Sequence, residues 1–226
     1  MTAAAGRFAF LGAKVEIVSL KIQTETGDGM MDTIMENVRT AGAYVLYNDL
    51  FVFQVGPTKK GNNLGIVRLG GHREAGERPL ETAEREVIEE AAIKINPIDS
   101  PITYLLKNWD EKGSTIQPEE EINPFLIKGN QKAGFTVMYM SFAENKPKPS
   151  SESKGILMLS PKEIEFICNH KVTLNELVQQ KGKAILTEGF NKDLVLEPFP
   201  QLLFLSKILK QKLGYMNTFF QNLKKE

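Results

Sequence analysis

Three glutamates of this chain, Glu86, Glu89 and Glu90, have the spacing of a group that acts together. On a helix these positions lie on one face, so the three carboxylates project in the same direction and repel one another. Surface helices usually relieve such repulsion with interspersed basic residues, but within this cluster only Arg85 is basic. The spacing therefore predicts that the cluster binds an external cation.

Phosphoryl chemistry is the reaction class that this cluster favours. Carboxylate oxygens suit hard cations such as Mg²⁺ or Mn²⁺, and Mg²⁺ is commonly shared between protein carboxylates and substrate phosphates. Gly70, Gly71 and Gly76 precede the cluster and would let a loop approach a metal or a phosphate closely. An acidic helix alone is more often a solvated surface. The glycine loop and the helix together favour a functional site.

The elements that position this segment begin with a predicted hairpin. Residues 44–47 and 50–53 are apolar runs on either side of residues 48–49, an Asn-Asp pair suited to a tight turn. Residues 64–69 are predicted to form a short strand that leads directly into the glycines. The acidic cluster is thus expected to follow a small antiparallel sheet.

Helix starts are marked clearly in three places. A helix is predicted over residues 79–92, since its first residue is a proline, which suits the first helical position. Two capping boxes follow later in the chain, in which a hydroxyl and a glutamate satisfy the first amides of a helix reciprocally. The first pairs Ser160 with Glu163, and the second pairs Thr173 with Glu176.

The remaining segments give a coarser prediction. Strands are expected at residues 135–142 and 156–159, and one or two more within residues 8–23, where apolar and polar residues partly alternate. Residues 146–153, rich in proline, serine and charge, are expected to be an exposed loop. Residues 199–220 have the apolar spacing of a long amphipathic helix. We expect it to pack against its own domain, and a homodimer is left open.

The acidic segment and the glycine loop together resemble the Nudix box. That pattern is Gly, five residues, Glu, seven residues, Arg-Glu, an apolar residue, one residue, Glu-Glu, one residue, Gly and an apolar residue. Residues 71–93 match it in register except at Ala92, where the family pattern has glycine. If this position requires a left-handed backbone, alanine there would cost about 1 kcal/mol. The matching positions are Gly71, Glu77, Arg85, Glu86, Val87, Glu89, Glu90 and Ile93.

The resemblance implies an α/β fold, a Nudix-type α/β/α sandwich with a mixed β-sheet, here followed by a C-terminal amphipathic helix. The length suits one domain with its own core. We expect residues 1–226 to form a single Nudix-type domain. Its core would span about residues 40–168, with an N-terminal strand extension over 1–39 and a C-terminal helical extension over 169–226.

The resemblance also implies the metal ligands. Glu86 and Glu90 would bind Mg²⁺ or Mn²⁺, and Glu89 would be either a further metal ligand or the group that activates water. The backbone carbonyl of Gly71 or of its neighbour would complete the coordination. The implied reaction is hydrolysis of a phosphoanhydride in a small molecule of the nucleoside diphosphate type.

Arg85 has an orienting role in this scheme. It would hold the glutamates in place, through an ion pair with Glu77. The resemblance therefore predicts Glu89, Glu86 and Arg85 as the residues that carry catalysis. It leaves open which glutamate acts as the general base.

Basic residues near the loop are candidates for binding substrate phosphates through charge-assisted hydrogen bonds. Lys59 and Lys60 lie further away in the sequence. Arg68, His72 and Arg73 flank the glycines, and we predict that these three bind substrate.

Other residues are weaker candidates. The acidic residues 119–121 are suited to contribute a further glutamate, although a solvated acidic turn is the more common interpretation. Trp109 and Tyr104 are more often packing residues than stacking partners of a base. His170 has no partner at a metal-ligand spacing, and Cys168, the only cysteine, is expected to be a small buried residue.

Composition excludes several classes of partner. Lys and Arg number 28, as do Asp and Glu, so the formal net charge is zero and no attraction to nucleic acid or anionic membranes is predicted. No apolar run is long enough for a membrane span, and no secretory signal is recognisable at the N-terminus. A cytoplasmic location is the resulting expectation.

Two rival interpretations stay open. A non-catalytic Nudix-like module would bind a nucleotide or a sugar phosphate and transmit that event to a partner, but it would have no need of all three glutamates. The isoprenoid diphosphate isomerase branch of the family is a poorer match, because no catalytic cysteine is evident. The sequence does not choose between dinucleotides, ADP-ribose, sugar nucleotides and nucleoside triphosphates as substrates.

Overall fold

Strands dominate the computed structural model, which describes residues 27–111, 113–150, 153–187 and 189–211. The strands are β1 (Val38–Tyr47), β2 (Leu50–Pro57), β3 (Asn63–Val67), β4 (Leu69–His72), β5 (Ile95–Ile98), β6 (Thr103–Leu106), β7 (Ser114–Ile116), β8 (Leu126–Asn130), β9 (Gly134–Ala143), β10 (Gly155–Leu159), β11 (Lys183–Leu186) and β12 (Val195–Pro198). The helices of the described part are α1 (Gly27–Glu36), α2 (Pro79–Ala91), α3 (Pro161–Asn169), α4 (Leu174–Gln179) and α5 (Pro200–Gln211).

Two long parallel neighbours, β1 and β9, form the centre of one mixed sheet. Each of them is flanked on its outer side by two antiparallel strands, β2 and β4 beside β1 and β8 and β5 beside β9. Beyond β2 the sheet divides, since β2 also pairs with β3 and with β10. The split beside β1 is where β4 carries the glycine bend.

The side chains of β1 alternate between the two faces of this sheet, as the two-residue period of a strand requires. Ala43 and Val45 pack with Val87 of α2 in one apolar cluster. Tyr44 and Leu46 point the other way, into the large cluster that α3, α4 and α5 cover. Helices therefore lie on both faces, with α1 and α2 on one and α3 to α5 on the other. The predicted α/β/α sandwich with a mixed sheet is confirmed.

The local predictions around the hairpin are also confirmed. Val45 pairs with Val52 and Tyr47 with Leu50, and both turn residues have positive φ, as a two-residue hairpin turn requires. The strand predicted over 64–69 is divided into β3 and β4, because the chain turns from one half of the split sheet to the other at Arg68.

The predicted helix starts and later strands appear where expected. Helix α2 begins at Pro79, and both capping boxes close at the starts of α3 and α4. Strands β9 and β10 occupy the segments predicted at 135–142 and 156–159. Helix α5 packs against its own domain through Leu202, Leu205 and Leu209, as the sequence predicted. The rest of the helix predicted over 199–220 lies outside the described residues.

Helix α1 was not predicted. It lies within the segment expected to be a strand extension, and the strands expected over 8–23 lie outside the described residues. Its signal is the spacing of Met30, Met31, Ile34 and Met35, of which Met31 and Ile34 are buried against the sheet. Across the described ranges, no helix combines the length and the apolar character needed to cross a membrane.

Candidate active site

The bend of β4 brings the glycines under the acidic helix. Gly70 and Gly71 pair with Gly42 and Ala41 of β1, which fixes the bend in the sheet. The side of α2 opposite its glutamates is buried, through Ala83, Val87 and Ala91. The acidic face of α2 is therefore held above the bend by core packing.

Glu86 makes the closest approach to the bend. A Cβ atom built on Gly71 would overlap both carboxylate oxygens of Glu86. The backbone torsions of Gly71 are not left-handed, so any residue fits the local conformation and only the space requires glycine. The Glu86 carboxylate therefore lies in the space that the absent side chain of Gly71 leaves open, which we call the cradle.

Glu90 reaches the same bend from one turn further along the helix. Its Oε2 accepts a hydrogen bond of 2.7 Å from the Gly70 amide. Burial raises the pKa of Glu90 to about 7, although the bond from Gly70 and the charge of Arg68 lower it and the charge of Glu86 raises it further. Burial of this carboxylate therefore outweighs the stabilisation that the Gly70 amide and Arg68 give to its charged form.

Arg85 has the orienting position that was predicted for it. Its Nε donates to Glu77 Oε1 at 2.6 Å, so the expected ion pair is present. Its Nη1 donates to Glu86 Oε1 at 3.0 Å and to Glu89 Oε2 at 2.7 Å, and its Nη2 donates to the His72 carbonyl at 2.9 Å. These hydrogen bonds raise the pKa of Arg85, and the bond to Glu77 has the largest effect. One guanidinium thus joins helix and loop.

Glu77 is the anchor of the loop. Its Oε2 accepts bonds from the Glu74 amide at 3.0 Å and from the Thr82 hydroxyl at 2.8 Å. The hydrogen bond from Arg85, followed by that from the Glu74 amide, lowers the pKa of Glu77 to about 2. Glu77 is consequently a fixed anion that shapes the loop.

The three glutamates do not converge equally. Glu86 and Glu90 both meet the glycine bend, whereas Glu89 turns to Arg85 and its side chain is 41% exposed. Among the described residues, no group of three acidic, histidine or cysteine side chains is already arranged to hold a metal ion. The roles of Glu86, Glu89, Glu90 and the Gly71 carbonyl as metal ligands stay a prediction. The cradle at Gly71 and the all-oxygen donor set fit a hard divalent cation.

Arg68 is placed differently from what its predicted role in substrate binding suggests. It is only 7% exposed, and its Nη1 lies against the paired Gly42 and Gly70. Burial lowers the pKa of Arg68, and the charges of Glu90, then Tyr44, oppose this effect. Its guanidinium therefore faces the buried side of the acidic pair and not the solvent.

Arg73 is occupied by backbone oxygens. Its Nε donates to the Glu77 carbonyl at 2.6 Å, and its Nη1 donates to the Met35 and Glu36 carbonyls at 2.8 and 3.3 Å. It thereby ties the C-terminus of α1 to the loop. His72 is exposed beside it. Of the three predicted substrate-binding residues, only His72 has its side chain open to solvent next to the bend.

Sequence reasoning missed the residue that holds the end of α2. Ala92 has φ 52° and ψ 35°, the left-handed conformation considered for this position. Asn145 clamps it from both sides, since its Nδ2 donates to the Ala92 carbonyl at 2.8 Å and its Oδ1 accepts from the Lys94 amide at 2.8 Å. Ser150 also donates to the Glu89 carbonyl. No local sequence signal marks such a contact between distant segments.

The weaker candidates are mainly packing residues. Tyr104 is buried and makes an edge contact with Phe125, with ring centroids 5.3 Å apart. Trp109 packs against the same core cluster, with Lys128 Nζ 5.7 Å from its ring centroid. His170 contacts the Phe166 carbonyl at 3.0 Å, a structural arrangement as preferred from the sequence.

The remaining candidates also have structural contacts. Burial raises the pKa of the Cys168 thiol, which lies partly buried beside α5. In the acidic loop 119–121, the Glu120 amide donates to Asn123 at 3.2 Å. The catalytic role of this loop stays a prediction.

Comparison with known proteins gives the following matches. No protein-family model matches the chain. A Nudix family hydrolase from Clostridium perfringens aligns with a TM-score of 0.43 and 20% identity, over 64% of this chain and 94% of that one. A Nudix hydrolase from Nitrosomonas europaea aligns with a TM-score of 0.42 and 11% identity, over 79% of this chain and 74% of that one. Both bear the name of the family that the box resembles.

Among curated proteins, the cholesteryl ester transfer protein of Cricetulus griseus is 23% identical over 119 residues. That segment is 53% of this chain and 21% of the transfer protein, so the chain spans about a fifth of the length of this relative.

Proposed function

We propose that this protein is a divalent-cation-dependent hydrolase of the Nudix type. It would cleave the pyrophosphate linkage of a nucleoside diphosphate joined to another moiety. One observation carries the proposal: Glu86 and Glu90 meet at a glycine bend, where Gly71 leaves room for one carboxylate and the Gly70 amide binds the other. Two like charges brought to one bend favour a cation there.

The residues that would hold the cation are Glu86 and Glu90, with the Gly71 carbonyl completing the set. Glu89 would be either a further ligand or the group that activates water. When bound, Mg²⁺ or Mn²⁺ would neutralise charge that develops on the phosphate oxygens. Arg85 keeps Glu86 and Glu89 at fixed distances from the loop, which is a positioning role. The predicted catalytic group of Glu89, Glu86 and Arg85 is thus retained in the proposal.

Glu89 is suited to move the proton. Its Oε2 is bonded to Arg85, which leaves Oε1 to accept a proton from water as that water attacks phosphorus. The bond from this phosphorus to the bridging oxygen breaks, and the bridging oxygen leaves with the second phosphoryl group. The products are two phosphate-ended fragments, or a monophosphate and pyrophosphate from a triphosphate.

A cavity beside α1 is large enough for the organic group of a substrate. It has a volume of about 530 Å³ and lies between α1, the end of β6 and the turn from β8 to β9. Leu105, Ile34 and Phe135 supply apolar walls, and Thr33 and Ser114 add hydroxyls. This volume falls within the usual range for small-molecule sites. A small molecule as the partner, rather than nucleic acid or a membrane, and a cytoplasmic location belong to this proposal.

A non-catalytic binding module is the second candidate, and one observation favours it. Arg85 already neutralises Glu86 and Glu89, so part of the charge that would attract a cation is satisfied internally. Such a protein would bind the phosphate compound but would not cleave it.

The test is hydrolysis of a panel of compounds with and without Mg²⁺. The panel contains a dinucleoside polyphosphate, ADP-ribose, a sugar nucleotide and a nucleoside triphosphate. We expect Mg²⁺-dependent turnover of at least one compound, and Glu90→Gln should lower kcat by about 100-fold or more. Glu84→Gln, on the same helix but away from the bend, is the control and should stay within about twofold. Binding without turnover would support the second candidate, and full turnover by Glu90→Gln would contradict the proposed metal role.

A further inference from the structure

The structure leaves the predicted phosphate-binding group incomplete. Arg68 is buried, and the side chain of Arg73 is committed to three backbone carbonyls. His72 alone would offer a phosphate only the ring N–H groups of one imidazole. A diphosphate substrate, which the proposed function requires, needs a further cation beside the bend.

Arg39 lies at this place. It precedes Thr40, the β1 residue that pairs with His72, and its own carbonyl accepts a 2.9 Å bond from the Arg73 amide. Arg39 is exposed. Within the described part of the chain its side chain forms neither a hydrogen bond nor an ion pair. Its charge is thus available to a ligand.

The stem of Arg39 is nevertheless well placed. A Cβ built on Gly134 would lie 2.6 Å from its Cγ, Cδ and Nε atoms, so the side chain lies flat over this glycine at the start of β9. The register of β1 shifts between Val38 and Thr40, and this irregularity sets the direction of the residue between them. Packing of the stem reduces the entropy that the guanidinium loses on binding.

Arg39 and His72 line one cleft of about 440 Å³ at the edge of the loop. The cleft begins one residue from Gly71, where the acidic pair meets the bend. Glu36 and Glu74 line it as well, so the charge of the cleft is balanced. A phosphate in this cleft would therefore be held by the directed N–H donors of Arg39 and not by the net charge of the cleft.

We propose that Arg39, with His72, binds the phosphate group of the substrate that is not attacked. A guanidinium presents two parallel N–H donors that match two oxygens of one phosphate. The acidic pair and its cation would hold the attacked phosphate, and Arg39 would hold its neighbour. This inference rests on the proposed function and deepens it, because it assigns a residue outside the Nudix box to substrate recognition.

The first arm of the test is kinetic, with the compound that the panel identifies. We expect Arg39→Ala to raise KM by about 10-fold or more and to leave kcat within about threefold, because the contact holds substrate before and during reaction alike. Arg39→Lys should recover only part of the loss, since an ammonium lacks the forked donors. Arg78→Ala is the matched control, an exposed arginine whose ion pair with Glu81 contributes little. Equal KM values for Arg39→Ala and Arg78→Ala would overturn the inference.

The second arm is direct binding of inorganic pyrophosphate in the presence of Mg²⁺, measured by calorimetry on the full chain. Arg39→Ala should weaken binding by about 10-fold relative to Arg78→Ala, even if no compound is turned over. Turnover with unchanged KM and unchanged pyrophosphate binding would refute the Arg39 assignment alone. Absence of turnover with Arg39-dependent binding would instead refute the hydrolase and retain the phosphate site.

Discussion

The carboxylate of Glu86 occupies the space in which a side chain on Gly71 would begin. Gly71→Ala should therefore fold, because the torsions of this residue suit any amino acid, but Glu86 must move. A displacement of about 1 Å at a catalytic group lowers turnover by about 100-fold. We expect this loss of kcat with little change in thermal stability.

Gly56→Ala is the matched control for this change. Gly56 also lies in a strand of the sheet, and a Cβ built there meets nothing within 4 Å. Its activity should equal that of the unsubstituted protein. A Gly71→Ala variant that is as active as Gly56→Ala would show that the position of Glu86 does not matter to catalysis.

Asn145 and Ala92 should be energetically coupled. Ala92→Gly removes the strain of a left-handed alanine and should stabilise the protein by about 1 kcal/mol. Asn145→Ala removes two exposed hydrogen bonds and should cost about 1 kcal/mol. Glycine adopts the left-handed conformation at position 92 without strain, so the turn after α2 depends less on the hydrogen bonds of Asn145. The cost of Asn145→Ala should therefore fall by about 0.5 kcal/mol or more.

The measurement is urea unfolding of the two single variants and the double variant. Gly56→Ala, at the end of β2 that lies away from Lys146, serves as the control and should be additive with Asn145→Ala. Strict additivity of Ala92→Gly with Asn145→Ala would argue against compensation between them.

Glu77 should make stability depend on acid pH. Its pKa in the folded protein is about 2, below the ordinary value of 4.5, so the unfolded chain binds the proton more readily. The resulting stability is present above pH 4.5 and is lost as the pH falls towards 2. Between about pH 5 and about pH 3, the unfolding free energy should fall more steeply for the parent protein than for Glu77→Gln. The difference between the two slopes should correspond to at most about one proton taken up on unfolding. Parallel slopes for the two proteins would contradict this, and Glu74→Gln serves as the neighbouring control.

The cavity beside α1 should select the organic part of the substrate. Thr33→Trp fills it from the helix, and Asp32→Trp places the same side chain on an exposed neighbour that does not line the cavity. For the compound with the largest organic group, Thr33→Trp should raise KM by about 10-fold relative to Asp32→Trp. Identical specificity of the two variants across the panel would show that this cavity does not hold substrate.

Local signals in the sequence predicted a large part of this site. The hairpin turn and the start of α2 arise from short spacings, for which chain geometry leaves few alternatives. The Arg85–Glu77 ion pair was implied by the resemblance to the Nudix box. The layers of the fold were implied by the same resemblance, and the apolar runs of the sequence indicated β1 and β9 as strands.

Contacts between distant segments could not be predicted in this way. Arg68 and Arg73 were grouped with His72 because they are neighbours in sequence, yet one is buried at the split of the sheet and the other binds the end of α1. Nothing near Asn145 in the sequence reveals that it clamps the turn after α2. Which side of a basic residue meets solvent is decided by strand pairing, and pairing depends on the whole chain.

The bonds from Arg73 to Met35 and Glu36 make the position of the glycine loop depend on a helix that lies before the sheet. A Nudix box grafted onto another sheet would lack this anchorage unless the graft also brought a helix end with free carbonyls. Sequence changes between α1 and β1 are for the same reason a route by which evolution or engineering can adjust the position of this loop without altering residues 71–93.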